Sequence, residues 1–107
     1  MTSEERLKKL LEWEAQKPGD AFLKFAVAQE YVSTGADEKA RKYFETLVND
    51  FPEYLATYYQ YAKLLERTAE VSEAEKVYLA GITLAKATSD YKTMRELIEA
   101  LTMLQNE

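Results

Sequence analysis

Hydrophobic side chains recur at helical spacing in six stretches, separated by short polar or proline-containing breaks. Thr2 with Glu5 three residues on has the spacing of a capping box, and Leu7, Leu10 and Leu11 then share one face of a helix running to about Gln16. Lys17-Pro18-Gly19-Asp20 ends it, and Asp20 is placed to cap a second helix carrying Leu23, Val27, Ala28 and Tyr31 as far as Ser33-Thr34-Gly35. Asp37 is read as the cap of a third helix, with Ala40, Phe44, Leu47 and Val48 inward, stopping before Phe51-Pro52 because a residue preceding proline disfavours the helical region. A fourth helix is predicted from about Glu53 to Thr68, with Tyr54, Tyr58, Tyr61, Ala62 and Leu65 inward. Ser72 is read as the cap of a fifth helix bearing Ala74, Val77, Tyr78, Gly81, Ile82 and Ala85. After the break at Ala87-Thr88-Ser89-Asp90, a sixth helix presents Met94, Leu97, Ile98, Leu101 and Leu104 as its apolar stripe. No stretch alternates with period two, so no sheet is expected.

These stretches repeat. The interval that separates Pro18 from Pro52 also separates Ala28 from Ala62, Thr34 from Thr68, Ala40 from Ala74 and Lys42 from Lys76, and across it Phe25 matches Tyr59, Phe44 matches Tyr78 and Val48 matches Ile82. Such a period predicts an all-α solenoid of antiparallel helix pairs. The small residues let paired axes approach closely, and Phe44 and Tyr78 are large enough to fill the space beside them. Phe44, Tyr78, Tyr31, Tyr58, Tyr61 and Met94 are accordingly read as packing.

Composition narrows the chemistry. The 107 residues are 47% hydrophobic and 12% aromatic, which suffices for one packed domain. There is no cysteine and no histidine, so disulfides, thiolate nucleophiles and the usual zinc ligands are absent, and no cofactor or metal is expected. With 14 Lys+Arg against 19 Asp+Glu the net charge is −5 and no basic block interrupts it, which argues against nucleic acid. The opening Met1-Thr2-Ser3-Glu4-Glu5-Arg6 is not followed by a signal-like apolar core, and no run approaches a membrane span, so a cytoplasmic protein without membrane contact is expected. Glu66, Glu70 and Glu73, with Lys63 or Tyr59 beside them, are the most enzyme-like group, but their spacing is that of a solvated helix end and no catalysis is expected.

The pattern resembles the tetratricopeptide repeat (TPR) family, whose unit is a 34-residue helix-turn-helix. A repeat starting at Ala21 puts the family's small position on Ala28, its tyrosine on Tyr31, its turn glycine on Gly35, its alanine on Ala40, its phenylalanine on Phe44 and its proline on Pro52. A second starting at Leu55 supplies Tyr58, Tyr61, Ala62, Leu65, Ala74, Tyr78 and Gly81, with Ala69 in place of the turn glycine and Lys86 in place of the proline. Repeat one departs at Lys24, where an aromatic is usual, and at Leu47, where a small residue is usual, which suggests looser outer packing there. The resemblance implies one domain over 1–107: a capping helix at 3–17, repeats at 21–54 and 55–88, and a capping helix at 90–105. The caps carry polar outer faces, Glu4, Glu5, Lys8 and Glu12 in one and Lys92, Arg95, Glu96 and Glu99 in the other.

In this family the first helices of successive pairs line a peptide groove. Here those faces are Phe22, Phe25, Gln29 and Val32, and, one repeat later, Ala56, Tyr59, Lys63 and Glu66, with Arg67 beside them. Two arrangements are open: Phe22 and Phe25 form an exposed apolar floor with Tyr59, or the first helix folds over them as core. Phe25 and Gln29 stand where the family's carboxylate clamp would need Lys and Asn, and Gln60 stands where it would need a second Asn, so a receptor for chaperone tails is disfavoured. The resemblance implies a bacterial-type adaptor binding a peptide or protein, and the residues leave open a partner that offers apolar groups, with or without an acidic group for Lys63 or Arg67. The alternative is a homodimer formed through the same surface or through the apolar residues of helix six.

Overall fold

Two kinds of helix junction organise the chain. The computed structural model describes residues 1–107 and holds six helices and no strand: α1 (Ser3–Gln16), α2 (Ala21–Ser33), α3 (Asp37–Asp50), α4 (Ala56–Arg67), α5 (Val71–Ala87) and α6 (Tyr91–Gln105). Where α1 and α3 end, a proline follows, and the preceding residues leave the helical region in nearly the same way, Lys17 at φ −134°, ψ 67° and Phe51 at φ −133°, ψ 56°. Each proline turn closes with the same bond, from the Asp20 N–H to the Lys17 carbonyl and from the Tyr54 N–H to the Phe51 carbonyl, both 3.0 Å.

Where α2, α4 and α5 end, a residue in the left-handed region reverses the chain instead: Gly35 (φ 77°), Ala69 (φ 62°) and Ser89 (φ 60°). All three turns are Schellman motifs. The Ala36 N–H donates to the Tyr31 carbonyl and Gly35 to Val32; Glu70 donates to Leu65 and Ala69 to Glu66; Asp90 donates to Ala85 and Ser89 to Lys86. Each is preceded by a threonine (Thr34, Thr68, Thr88) whose hydroxyl donates back to the carbonyl four residues earlier.

Helix starts follow from these turns. The capping box of Thr2 and Glu5 forms as expected, and the Asp20 carboxylate accepts from the Leu23 N–H. Asp37 and Ser72, however, are not caps. Ala36 and Glu70 hold those positions, with no side-chain cap bond, because the residue completing each Schellman turn already begins the next helix. Only at Asp90 does that residue also cap with its side chain, accepting from the Thr93 N–H at 3.1 Å. The fourth helix starts at Ala56 rather than Glu53, since the residues after Pro52 are held in the proline turn, and Tyr54 therefore lies outside it.

The chain divides into two compact units, Met1–Tyr54 with α1 to α3 and Leu55–Glu107 with α4 to α6. In the first, α2 packs on α1 and α3; in the second, α5 packs on α4 and α6. Val27, Ala28, Ala40, Phe44 and Leu47 form the core of the first unit, and α1 adds no buried residue to it. The second unit has the larger core, with Tyr58, Tyr61, Ala62, Leu64, Leu65, Ala74, Val77, Tyr78, Ala85, Leu97, Ala100, Leu101 and Leu104. Ile98 departs from the expected stripe and is 42% exposed, because α6 buries one side only. No helix is long and apolar enough to cross a membrane.

The repeat is visible in the packing. Phe25 and Phe44 have ring centroids 6.4 Å apart, and their counterparts one repeat later, Tyr59 and Tyr78, are also 6.4 Å apart. Where the repeats differ, size is exchanged across the helix pair. Gly81 lies so close to α4 that a Cβ there would sit 2.7 Å from the Tyr58 Cβ and 3.0 Å from the Leu97 Cδ1. In the first unit Leu47, fully buried, stands in the place of Gly81, and Lys24, turned to a charge partner, in the place of Tyr58. Leu47 is nevertheless fully buried, so the first unit accommodates a large side chain where the second has a glycine.

Lys24 belongs to a polar link that holds α1. The Glu14 carboxylate accepts from the Lys24 ammonium at 2.8 Å and from the Tyr43 hydroxyl at 2.7 Å, so α1 is tied to α2 and α3 at one point. Arg6 of α1 also bonds Glu30 of α2. Burial alone pushes the Glu14 carboxyl up, but the bonds from Lys24 and Tyr43 and the Lys24 charge more than reverse this and leave it below the ordinary 4.5. The same burial and the Glu14 carboxylate raise the Tyr43 hydroxyl.

Substitutions at a corner, a contact and the polar link probe these features separately. Ala69→Gly removes the left-handed penalty of a Cβ and should raise the free energy of unfolding by about 1 kcal/mol in urea titration; no gain would mean the turn is unstrained. Gly81→Ala gains about 1 kcal/mol in helix propensity but meets the Tyr58 Cβ, which cannot swing away, so it should lower stability by about 1–2 kcal/mol net. A carboxyl held low in the fold contributes stability above its unfolded pKa and loses it as pH falls through the folded value. Glu14→Gln should therefore be less stable than the parent at neutral pH, with the gap closing as urea titrations are taken from neutral pH to well below 4.5. A gap independent of pH would show that the link acts without its charge.

Candidate functional site

The expected binding face on α2 is part-exposed and apolar. Phe22 is 62% exposed, so α1 does not cover it. Phe25 is half-buried, its ring 6.4 Å from Phe44 and 5.7 Å from Tyr54, which the proline turn after α3 presents to it. Burial and the charge of Asp20 raise the Tyr54 hydroxyl. Gln29 and Val32 are half-buried further along, with the Gln29 Oε1 buried and without a hydrogen-bond partner.

On α4 the corresponding residues are wired to one another. The Lys63 ammonium lies 5.6 Å from the Tyr59 ring centroid and 3.6 Å from the Glu66 carboxylate. Glu66 in turn accepts from the hydroxyl of Tyr78, the buried tyrosine that packs edge-on against Tyr59. Burial first, and then this carboxylate, push the Tyr78 hydroxyl well up, so it stays a donor. Ala56 and Arg67 are exposed at the two ends of the helix. Of the carboxylates with enzyme-like spacing, Glu66 is engaged by Tyr78 and Lys63, and Glu70 accepts from the Thr68 hydroxyl at 2.9 Å.

Of the residues expected to bind, Tyr59 and Lys63 line a cavity, and they share it with residues of α6. It has a volume of about 230 Å³ and is walled by Tyr59, Lys63, Glu96, Glu99, Ala100 and Met103. Glu96 and Glu99 are solvent-exposed, as a polar outer face requires, yet they also form this wall. Treating α6 as a cap alone misses their part in this cavity. The signal is nevertheless in the chain: Ala100 stands one repeat length after Glu66, so α6 occupies the place of a further first helix. The first unit has its own cavity of about 380 Å³, at the α1–α2 turn, lined by Trp13, Gln16, Lys17, Asp20 and Leu23. None of the expected α2 face residues lines it.

No family model matches the chain, and no curated protein does. Solved structures do. A tetratricopeptide repeat domain protein from Salinibacter ruber is similar in solution, with TM-score 0.81 and 33% identity over 84% of this chain and 91% of that one. The crystal structure of the Salinibacter protein gives TM-score 0.77 and 34% identity over 80% and 97% of the two chains. A protein of Bordetella parapertussis, at 19% identity, shares the fold, with TM-score 0.80 over 94% of this chain and 87% of that one. The repeated aromatic pair, the two proline turns and the 33% identity over nearly the whole Salinibacter domain together show that this chain belongs to the tetratricopeptide repeat family.

Proposed function

We propose that the chain is a non-enzymatic adaptor that binds a peptide or protein segment along the first helices of its repeats. Family membership supports the general part of this reading, since the TPR fold is that of a protein–protein interaction module. The finer part rests on one observation above all: Tyr59 and Lys63, marked by the repeat as binding-face residues, line a cavity with an exposed methionine. The residues proposed to bind are Phe22, Phe25, Gln29 and Val32 on α2 and Ala56, Tyr59, Lys63, Glu66 and Arg67 on α4. Aromatic and thioether groups at such a face suit adaptable contact with apolar side chains.

A second reading is self-association, favoured by Tyr91 and Ile98, which are both exposed and two turns apart on one side of α6. Sedimentation over a wide concentration range, combined with amide chemical-shift mapping against a short-peptide library, separates the two. A constant monomer mass with peptide-induced shifts at Phe22, Tyr59 and Lys63 is the expected result. A dimer that Ile98→Asp dissociates, with no library peptide shifting the α2 or α4 amides, would replace the adaptor reading by self-assembly.

A further inference from the structure

The cavity between α4 and α6 carries information on the partner's chemistry, an inference that rests on α4 being part of the binding face. At about 230 Å³ it falls below the ~300–1,000 Å³ of small-molecule and cofactor sites. It is of a size to hold one long side chain. Its α6 wall is a single helix face, Glu96, Glu99 and Met103 being spaced three and four residues apart, and Met103 is 64% exposed.

The charges on this wall are unequal in their freedom. Lys63 already has two partners, the Glu66 carboxylate and the Tyr59 ring. Glu96 and Glu99 have no hydrogen bond or ion pair, and the cations one turn earlier on α6, Lys92 and Arg95, bridge neither of them. Lys92 instead lends its charge to Asp90 and helps hold that carboxyl low, behind the larger effect of the bonds from Thr93. The cavity thus presents two uncommitted carboxylates and one committed ammonium, on a chain of net charge −5.

We propose that the cavity takes an arginine or lysine side chain from a partner peptide, its methylene stem along Tyr59 and Met103 and its charged head against Glu96 and Glu99. Long cationic side chains suit such a place because the stem covers apolar surface while the head meets carboxylates by charge-assisted hydrogen bonds. Of the two places expected for a partner's acidic group, Lys63 and Arg67, the one at Lys63 is disfavoured, because an incoming carboxylate would meet Glu96 and Glu99 before reaching an ammonium already in use.

The test uses fluorescein-labelled short peptides that carry Arg, Lys, Gln or Glu next to a leucine, read by anisotropy against the full chain and against Glu96→Lys/Glu99→Lys. Both substituted residues are exposed, and a thermal melt verifies that the variant keeps its fold. Arg and Lys peptides should bind best to the parent, weaken with added salt, and lose roughly tenfold or more in affinity to the variant, which should turn its preference to Glu peptides. Binding of all four peptides alike, or a basic preference that survives the double substitution, would overturn the cation pocket while leaving the adaptor reading intact. Binding of none would overturn both.

Discussion

The close approach of helices at fully buried small residues is the constraint on which this structure depends. Ala28, Ala40, Ala62, Ala74 and Gly81 are the points at which side-chain size is withheld, and around them the large side chains Phe44, Leu47, Tyr58 and Tyr78 are accommodated. Leu47 and Lys24 stand where Gly81 and Tyr58 would by the repeat, so bulk has been traded from one helix to its neighbour without changing the architecture. That trade also creates the α1 link, because a lysine in place of an aromatic offers Glu14 a cation. A local departure from the family pattern is thereby turned into attachment of the N-terminal helix.

The two units reach cohesion by different means. Leu55–Glu107 encloses a continuous apolar core on three helices, with the Tyr78 hydroxyl satisfied by Glu66. Met1–Tyr54 has fewer buried apolar groups, and α1 joins it through half-buried leucines, the Glu14 link and the Arg6–Glu30 pair, while Glu30 keeps its second oxygen buried and unpartnered. Polar links of this kind return little net stability but restrict geometry. The first helix is therefore positioned more than it is clamped.

Most of the fold is legible in the chain because helix content and helix pairing are written at two separate periods, that of the helical turn and that of the repeat. The buried positions Ala28, Ala40, Phe44, Ala62, Ala74 and Tyr78 can all be read from them. What spacing does not reveal has identifiable causes. Asp37 and Ser72 look like caps by residue type, but the position is taken by whichever residue completes the preceding left-handed turn. Ile98 fits an apolar stripe, yet its exposure depends on which side of α6 meets a neighbour. The face on α4 is legible as a periodic set, whereas the wall formed by Glu96, Glu99 and Met103 is marked only by α6 falling at the place of a further first helix, since a cavity is a property of two helices together and spacing describes one at a time.

The Schellman turns have a further meaning for how the chain tolerates change. At Gly35-Ala36, Ala69-Glu70 and Ser89-Asp90 the residue that finishes one helix is also the start of the next, so no residue there is spare. Lengthening such a junction by one position would rotate the following helix by about 100° and turn its buried face outward. The proline turns, by contrast, put between the helices they join several residues that belong to neither. Insertions and deletions in the lineage of this chain should therefore gather at the two prolines and be purged from the three left-handed corners.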